Sequence, residues 1–287
     1  MSSVILEAKE LSHVYSKGTT SQVDAIRDVC LKIEQGELVG VIGHTGSGKS
    51  TLIQHFNGLL KGSSGVVMLD GKDIWENKKE IRKVRFRVGI CFQYPEYQLF
   101  EETVYKDIAF GPKNMKLTDD EIDKRIREVI KFVGLDESYL EKSPFDLSGG
   151  EKRRVAIAGV MAMQPDVLIL DEPCAGLDPK GREMILSFIK QYREKTNSTV
   201  LVVSHSMEDI SKIATKVLVM NNGTVAYYDT VDGVFSHSEE LQKMGLNIPQ
   251  ITRLFLKLRE KGYNVPTNVY TLQNAKEQIA RLLSEGD

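Results

Sequence analysis

The segment Gly43-His44-Thr45-Gly46-Ser47-Gly48-Lys49-Ser50 restricts the folds open to this chain more than any other. It fits the pattern GxxxxGK[ST] and lies between a compact run, Leu38 to Ile42, and a helical stretch through Leu60. Glycines let the backbone wrap closely, so consecutive N–H groups and a helix amino terminus can point at an anion. Lys49 then suits the β and γ phosphates of a nucleotide, and Ser50 suits Mg²⁺. A tight glycine turn alone would not demand Lys and Ser together. The segment therefore predicts a phosphate site formed by Gly43, Gly46, Ser47, Gly48, Lys49, Ser50 and Thr51.

A matching acidic end is Val167-Leu168-Ile169-Leu170-Asp171-Glu172. Four apolar residues make a strand buried on both faces, and ligands bind at the carboxyl edge of an open parallel sheet. Asp171 can hold Mg²⁺ through water, and Glu172 can polarise the attacking water. The wider pattern agrees. Strands are expected at Val4–Leu6, Ala25–Ile33, Leu38–Ile42, Val66–Leu69, Val88–Phe92, Val167–Leu170, Thr199–Val203 and Lys216–Met220. Helices are expected at Asp119–Phe132, Glu151–Met163, Lys180–Lys195 and Met207–Ala214. Such alternation implies an α/β fold: a parallel sheet covered by helices, with an antiparallel portion at the amino end. Thr224 to Tyr228 should pair with the strand before it across Asn221-Asn222-Gly223.

Those two motifs fit any phosphate-loop ATPase; Leu147-Ser148-Gly149-Gly150-Glu151, just before a helix, narrows the class. Ser148 and the two glycine amides make a second anion site, and Ser148 with Glu151 also reads as a capping box. The LSGG sequence resembles the signature loop of ATP-binding-cassette (ABC) proteins. That resemblance implies a P-loop NTPase with a RecA-like parallel core, an antiparallel β subdomain and a helical signature subdomain. It further implies that Ser148, Gly149 and Gly150 of one cassette close over the phosphate loop of another. By the same resemblance Tyr15 would stack on adenine, and Gln93 would touch Mg²⁺ and the attacking water. Asp178, in Ala175-Gly176-Leu177-Asp178, would report across the dimer, and His205 would contact the γ-phosphate. Lys49, Gln93, Glu172 and His205 are then the catalytic set; Ser50, Gln93 and Asp171 are the metal set. Two positions depart from the family pattern: Glu151 stands where Gln is usual, and Cys174 where Thr or Ser is usual.

The alternatives left open concern what hydrolysis drives. A formal charge of −2 gives no electrostatic footprint for a polyanion, so a nucleic acid is not expected as a partner. The three cysteines form no CxxC pair, which points to a reducing compartment without a structural disulfide or metal. No stretch approaches the ~18 apolar residues of a membrane helix, and Glu7 and Glu10 interrupt what a signal peptide would need. Any membrane role is expected to be peripheral.

Phe92-Gln93-Tyr94-Pro95-Glu96-Tyr97-Gln98-Leu99-Phe100 and Ala109-Phe110-Gly111-Pro112-Lys113-Asn114 are similar to the energy-coupling factor (ECF) ATPases, especially the second of their two paralogues. So are Ser143-Pro144-Phe145-Asp146-Leu147 and Ala156-Ile157-Ala158-Gly159-Val160. The resemblance implies a peripheral subunit on the cytoplasmic face, paired with a paralogous cassette. A membrane scaffold protein and a membrane substrate-binding protein would complete a vitamin or metal-ion importer. As ordinary chemistry, Leu99, Phe100, Ile108 and Phe110 each read, taken singly, as subdomain core. A conventional importer with a soluble binding protein remains open, as does a non-transport ABC ATPase acting on nucleic acid or ribosomes.

The character of the chain changes near Phe235, giving an ATPase domain over 1–235 and a helical extension over 236–287. Ile251, Leu254, Phe255 and Leu258 are spaced as one apolar face of a helix, and Leu272 to Leu283 as a second. So short an extension makes a poor core alone, so it should dock on the main domain or on a second subunit.

Overall fold

The computed structural model describes residues 3–270 and 272–284. The chain begins with β1 (Val4–Tyr15), β2 (Val23–Glu34) and β3 (Leu38–Ile42), then α1 (Lys49–Phe56). β4 (Ser64–Leu69), β5 (Lys72–Asp73), α2 (Ile81–Arg87) and β6 (Val88–Cys91) follow. Three helices, α3 (Val104–Asn114), α4 (Asp119–Phe132) and α5 (Gly149–Met161), precede β7 (Val167–Asp171). α6 (Pro179–Thr196), β8 (Thr199–Val203), α7 (Met207–Ile213), β9 (Lys216–Asn221) and β10 (Thr224–Thr230) complete the main body. α8 (Val231–Phe235), α9 (Ser238–Lys243), α10 (Gln250–Glu260) and α11 (Leu272–Ser284) form the carboxyl-terminal part.

Two sheets result. One is antiparallel in the order β2-β1-β4-β5; the other runs β10-β9-β3-β8-β7-β6, parallel except for β10. Period-two alternation decides which core each strand residue enters. Leu168, Leu170, Val200, Val202, Val217 and Val219 pack with the helices α3 to α6. Val167, Ile169, Leu201, Val203, Leu218 and Met220 pack instead with the antiparallel sheet and α1. The parallel sheet is thus a partition between two cores. The β9–β10 hairpin turns on Asn222 (φ 47°) and Gly223 (φ 81°), a pair of left-handed residues suited to a two-residue loop.

β1 runs well past the expected Leu6, so Tyr15 is its last residue and not a residue of the following loop. α5 starts earlier than expected, at the signature glycines, because Ser148 caps it directly. In the carboxyl-terminal part, Phe235, Leu241, Leu246 and Ile248 join the main core. Phe255, Val265, Val269 and Ala275 make a small separate core with Ile251, Leu258, Ile279 and Leu282 around it. Leu254 does not share the apolar face assigned to it; it is 43% exposed, and Phe255 takes the buried position. No helix among the described residues is long and apolar enough to cross a membrane.

Candidate active site

Three neighbouring strands, β3, β8 and β7, end at one edge of the parallel sheet and deliver the phosphate loop, His205 and Asp171-Glu172 together. The loop enters α1 through Gly48, whose φ of 99° belongs to the left-handed region. A Cβ at that position would stand 2.6 Å from the Ala25 oxygen and 2.8 Å from Ile26 Cγ2, so glycine is required twice over. The hairpin turn buttresses the loop from behind: the Gly223 N–H donates to the Ser47 carbonyl at 3.1 Å. At Gly46 a Cβ would meet nothing within 4 Å, so the loop's outer side is open.

Lys49 lies folded into this loop, with Nζ donating to the Gly43 carbonyl at 2.6 Å and the His44 carbonyl at 2.9 Å. Burial lowers its pKa, while Glu172 and Asp171 oppose that shift. Ser47 Oγ and Glu172 Oε1 are buried without a hydrogen-bond partner among the described residues. Ser50 is exposed on the first turn of α1. Thr51 is buried behind it and faces the Tyr15 hydroxyl, its Oγ1 lying 3.3 Å from the phenol oxygen. That contact, and an edge-on His13 ring 4.5 Å away, fix the Tyr15 ring beside the start of α1 while leaving it 38% exposed.

Glu172 directly follows β7 and has a φ of 50°, rare for a residue with a side chain. Its N–H donates to the Val203 carbonyl at 3.0 Å, tying it to the end of β8. His205 Nε2 is 3.3 Å from Glu172 Oε1, a contact outside aligned hydrogen-bond geometry. Burial raises the Glu172 pKa to about 7; Asp171 adds to the rise and Lys49 opposes it. Burial likewise raises that of Asp171, against the pull of Lys49. His205 moves the other way, lowered by burial and then by Lys49, so the neutral imidazole is favoured.

Among the described residues no cluster of three or more His, Cys, Asp or Glu would hold a metal alone. Hard oxygen donors are nonetheless present in Asp171 and Ser50, with Gln93 in the exposed loop after β6. This donor set fits Mg²⁺ that arrives with phosphate oxygens completing its shell.

The signature is elsewhere. Ser148 caps α5, and both Glu151 oxygens are engaged: Oε2 accepts from Ser148 N at 2.8 Å and Oγ at 2.6 Å, Oε1 from the Tyr139 hydroxyl at 2.8 Å. The Ser148 hydroxyl and backbone N–H, then Tyr139, hold the Glu151 carboxyl down to about 2, so it is ionised throughout the useful pH range. A Cβ on Gly149 or Gly150 would meet nothing within 4 Å, so this helix end is open. Ser148 is exposed, and among the described residues its side chain bonds only within its own capping box. Asp178, also exposed, caps α6 by accepting from Gly181 N at 2.9 Å. Cys174 is buried, and burial pushes its thiol to about 12, an inert group beside the Glu172 loop.

The sequence did not single out Arg153, 3% exposed, which bonds Glu96 in the loop after Gln93 and the carbonyls of Pro173 and Ala175 after Glu172. Nearby, Phe86, Leu99, Phe100, Phe110, Val160 and Met163, from α2, the turn after β6, α3 and the end of α5, line an open groove. Ile108 is fully buried core, whereas Phe100 at 57% and Phe110 at 48% exposure are not core residues; they lie edge to face in the groove wall.

Comparison with known proteins gives the following. The family model described as ABC transporter matches residues 26–175. The energy-coupling factor transporter ATP-binding protein EcfA2 of Clostridium tetani is 52% identical over 280 residues, spanning 97% of both chains. Its counterpart in Clostridioides difficile is 52% identical over 277 residues, spanning 96% of both. Among solved structures, cbiO1 from Clostridium perfringens, part of the ABC transporter complex cbiONQ, superposes with a TM-score of 0.75 at 41% identity. It covers 88% of this chain and 98% of its own. The ATP-binding cassette MJ0796, in a dimeric post-hydrolysis state bound to ADP and Pi, gives a TM-score of 0.71 at 28% identity. That match covers 79% of this chain and 99% of the neighbour.

Proposed function

Because the chain belongs to the ABC transporter family, and within it to the energy-coupling factor transporter ATP-binding proteins of A2 type, we propose a division of labour for its residues and partners. The chain is the ATP-binding and ATP-hydrolysing subunit of an ECF importer. Residues 1–235 act as the nucleotide-binding unit, and 236–287 as an extension that contributes to dimerisation.

The nucleotide phosphates would lie over the amides of Gly46 to Ser50, Ser47 included, at the start of α1, with Gly43 shaping the entry. Lys49 exchanges its two carbonyl partners for phosphate oxygens, and Tyr15 lies against the adenine. Ser50, Asp171 and Gln93 would hold Mg²⁺, which would supply charge neutralisation on the phosphates. Glu172, once ionised, orients the attacking water and accepts its proton. Neutral His205 donates toward the γ-phosphate. Little covalent chemistry is required, since positioning and electrostatics carry most of the rate in phosphoryl transfer.

One observation carries the assembly reading. A Cβ on Gly149 or Gly150 would meet nothing within 4 Å, and among the described residues the exposed Ser148 hydroxyl bonds only Glu151, so this helix end is left open for a group from outside the chain. Two cassettes facing head to tail would complete both sites, and the D-loop residue Asp178 would then lie at their junction. The second cassette is proposed to be a paralogue. The groove carrying Phe100 and Phe110 takes a membrane scaffold protein, with a membrane substrate-binding protein selecting a vitamin or metal ion. The chain then works at the cytoplasmic face of the membrane without entering it.

The test is recovery of tagged Glu172→Gln from detergent-solubilised native membranes in the presence of ATP, with mass spectrometry of what comes with it. A second, different cassette with a scaffold membrane protein is expected. Only self-dimers with a conventional permease, or nucleic-acid machinery, would overturn the ECF assembly.

A further inference from the structure

Arg153, on α5, links two loops of the site. Its Nε and Nη2 grip Glu96 as a fork, at 3.1 Å to Oε2 and 2.6 Å to Oε1. Its remaining arm, Nη1, donates to the carbonyls of Ala175 and Pro173. One end of this link is therefore the single 3₁₀ turn Pro95–Gln98 that follows Gln93, and the other is the loop that follows Glu172. The helix bearing Arg153 is the one capped by the signature Ser148.

Both linked loops hold a non-glycine residue in the left-handed region: Tyr94 at φ 54° and Glu172 at φ 50°. Tyr94 also precedes Pro95, a position where compact backbone conformations are disfavoured. Such conformations persist only where surrounding contacts over-determine them. Here the Tyr94 ring lies 5.9 Å from the guanidinium carbon, and Glu96 is anchored two residues further on. Breaking the Arg153–Glu96 pair would leave a charge unpaired in a buried place, so the contact opposes separation of the two loops. Meanwhile Tyr97, in the same turn, is 85% exposed and Phe100 is 57% exposed, on the side proposed to receive the membrane partner.

We propose that Arg153 is a positioning residue that makes the Pro95–Gln98 turn and the Glu172 loop move as one body, so that displacement by a membrane partner reaches the hydrolytic carboxylate. This rests on the transport reading given above. Neither Arg153 nor Glu96 has to touch nucleotide in this role; they act through Gln93 and Glu172.

The experiment measures ATP hydrolysis by the membrane complex recovered on a tag carried by this chain, and by the same cassettes released from their membrane partners. The parent, Glu96→Gln and Arg153→Lys are compared. Glutamine keeps the shape of the Glu96 side chain without its charge, and lysine lacks the fork that spans both loops. The parent is expected to show a kcat in the complex that differs from the released form by about fivefold or more. In both variants that ratio should fall to within about twofold of unity, with KM for ATP kept within about twofold of the parent value. A ratio preserved in both variants overturns the proposal. So does a KM that worsens in step with kcat in the released cassettes, since that is damage to the nucleotide site. A parent that hydrolyses ATP equally in both states overturns the transport reading, and this proposal with it.

Discussion

His205 Nε2 and Glu172 Oε1 lie 3.3 Å apart across the ends of adjacent parallel strands, yet the carboxylate oxygen accepts no aligned hydrogen bond. Glu172 is held in a left-handed backbone conformation with its side chain 12% exposed, while the imidazole is 58% exposed. The two groups are thus placed together without neutralising each other, leaving Glu172 free to engage water. Glu172→Gln keeps the shape and removes the base. Its kcat for ATP should fall by about 10²–10⁴-fold, and ATP should accumulate a dimer visible by size-exclusion chromatography. Turnover at the parent rate would remove Glu172 from the mechanism.

The pH dependence follows from the same residue. Burial lifts its pKa from the ordinary 4.5 to about 7, so the proton is held more tightly in the folded chain than in the unfolded one. kcat/KM for ATP should therefore rise about tenfold per pH unit below pH ~7 and level off above it. Stability runs oppositely: the contribution of protonated Glu172 is complete below pH 4.5 and is lost as pH rises through about 7. Nucleotide-free Glu172→Gln should then melt above the parent at pH 8, with the gap closing toward pH 4.5. Identical melting curves at pH 8 would contradict the buried-carboxylate account.

Gly48→Ala tests the phosphate loop through its backbone. A side chain there must accept φ 99° and push against the Ala25 carbonyl 2.6 Å away. The loop should distort at a cost of about 1–3 kcal/mol, seen in thermal unfolding, with ATP binding by equilibrium titration weakened alongside. A variant that binds ATP as the parent does would show that the loop tolerates displacement.

At the signature, two substitutions separate capping from charge. Ser148→Ala removes the cap of α5 and should destabilise the chain by about 0.5–2 kcal/mol, in addition to slowing hydrolysis in the paired cassettes. Glu151→Gln keeps an acceptor for Ser148 N and should leave the melting temperature nearly unchanged. Because Glu151 is ionised with its pKa near about 2, the charge it removes is a full one. Tighter ATP-dependent dimerisation by light scattering is the expected consequence of losing that charge beside an anion site.

Phe100→Asp and Phe110→Asp address the groove. Both rings are about half exposed, so neither change should unfold the chain or alter ATP binding by the released cassette. Recovery of the membrane partner on a tagged chain should drop by about tenfold or more, as expected when a central aromatic contact of an interface is lost. Full recovery from both variants would move the partner's seat elsewhere.

Much of this was legible because local and global signals coincide. β3 and β8 have their expected ends, being short apolar runs buried on both faces. α4 does too, since the Thr118–Glu121 capping box marks its start. β1 was harder to read: Glu10, Ser12 and His13 break its alternation, and register shifts at Ala8/Leu11 and beyond allow the strand to continue through them. α3 runs on through Gly111 and Pro112 to Asn114 although Pro112 has no N–H to give the Ile108 carbonyl, so the Gly-Pro pair hid the extent of this helix. Arg153 was invisible in principle. Its partners are a carboxylate 57 positions away and two backbone carbonyls, and carbonyls have no sequence identity.

The partition made by the parallel sheet has an evolutionary consequence. Along β7 and β8, neighbouring residues such as Ile169 and Leu170, or Leu201 and Val202, report to different cores. A change of volume at Ile169 is felt by the nucleotide helix and the antiparallel sheet; one at Leu170 is felt by the helices that carry the signature. Substitutions on opposite faces should combine additively, and those on one face should not. The two halves of the cassette can therefore drift separately at single positions, while a one-residue deletion in a central strand exchanges both cores at once and is not survivable. Length variation in descendants of this chain is confined by that geometry to the turns between strands.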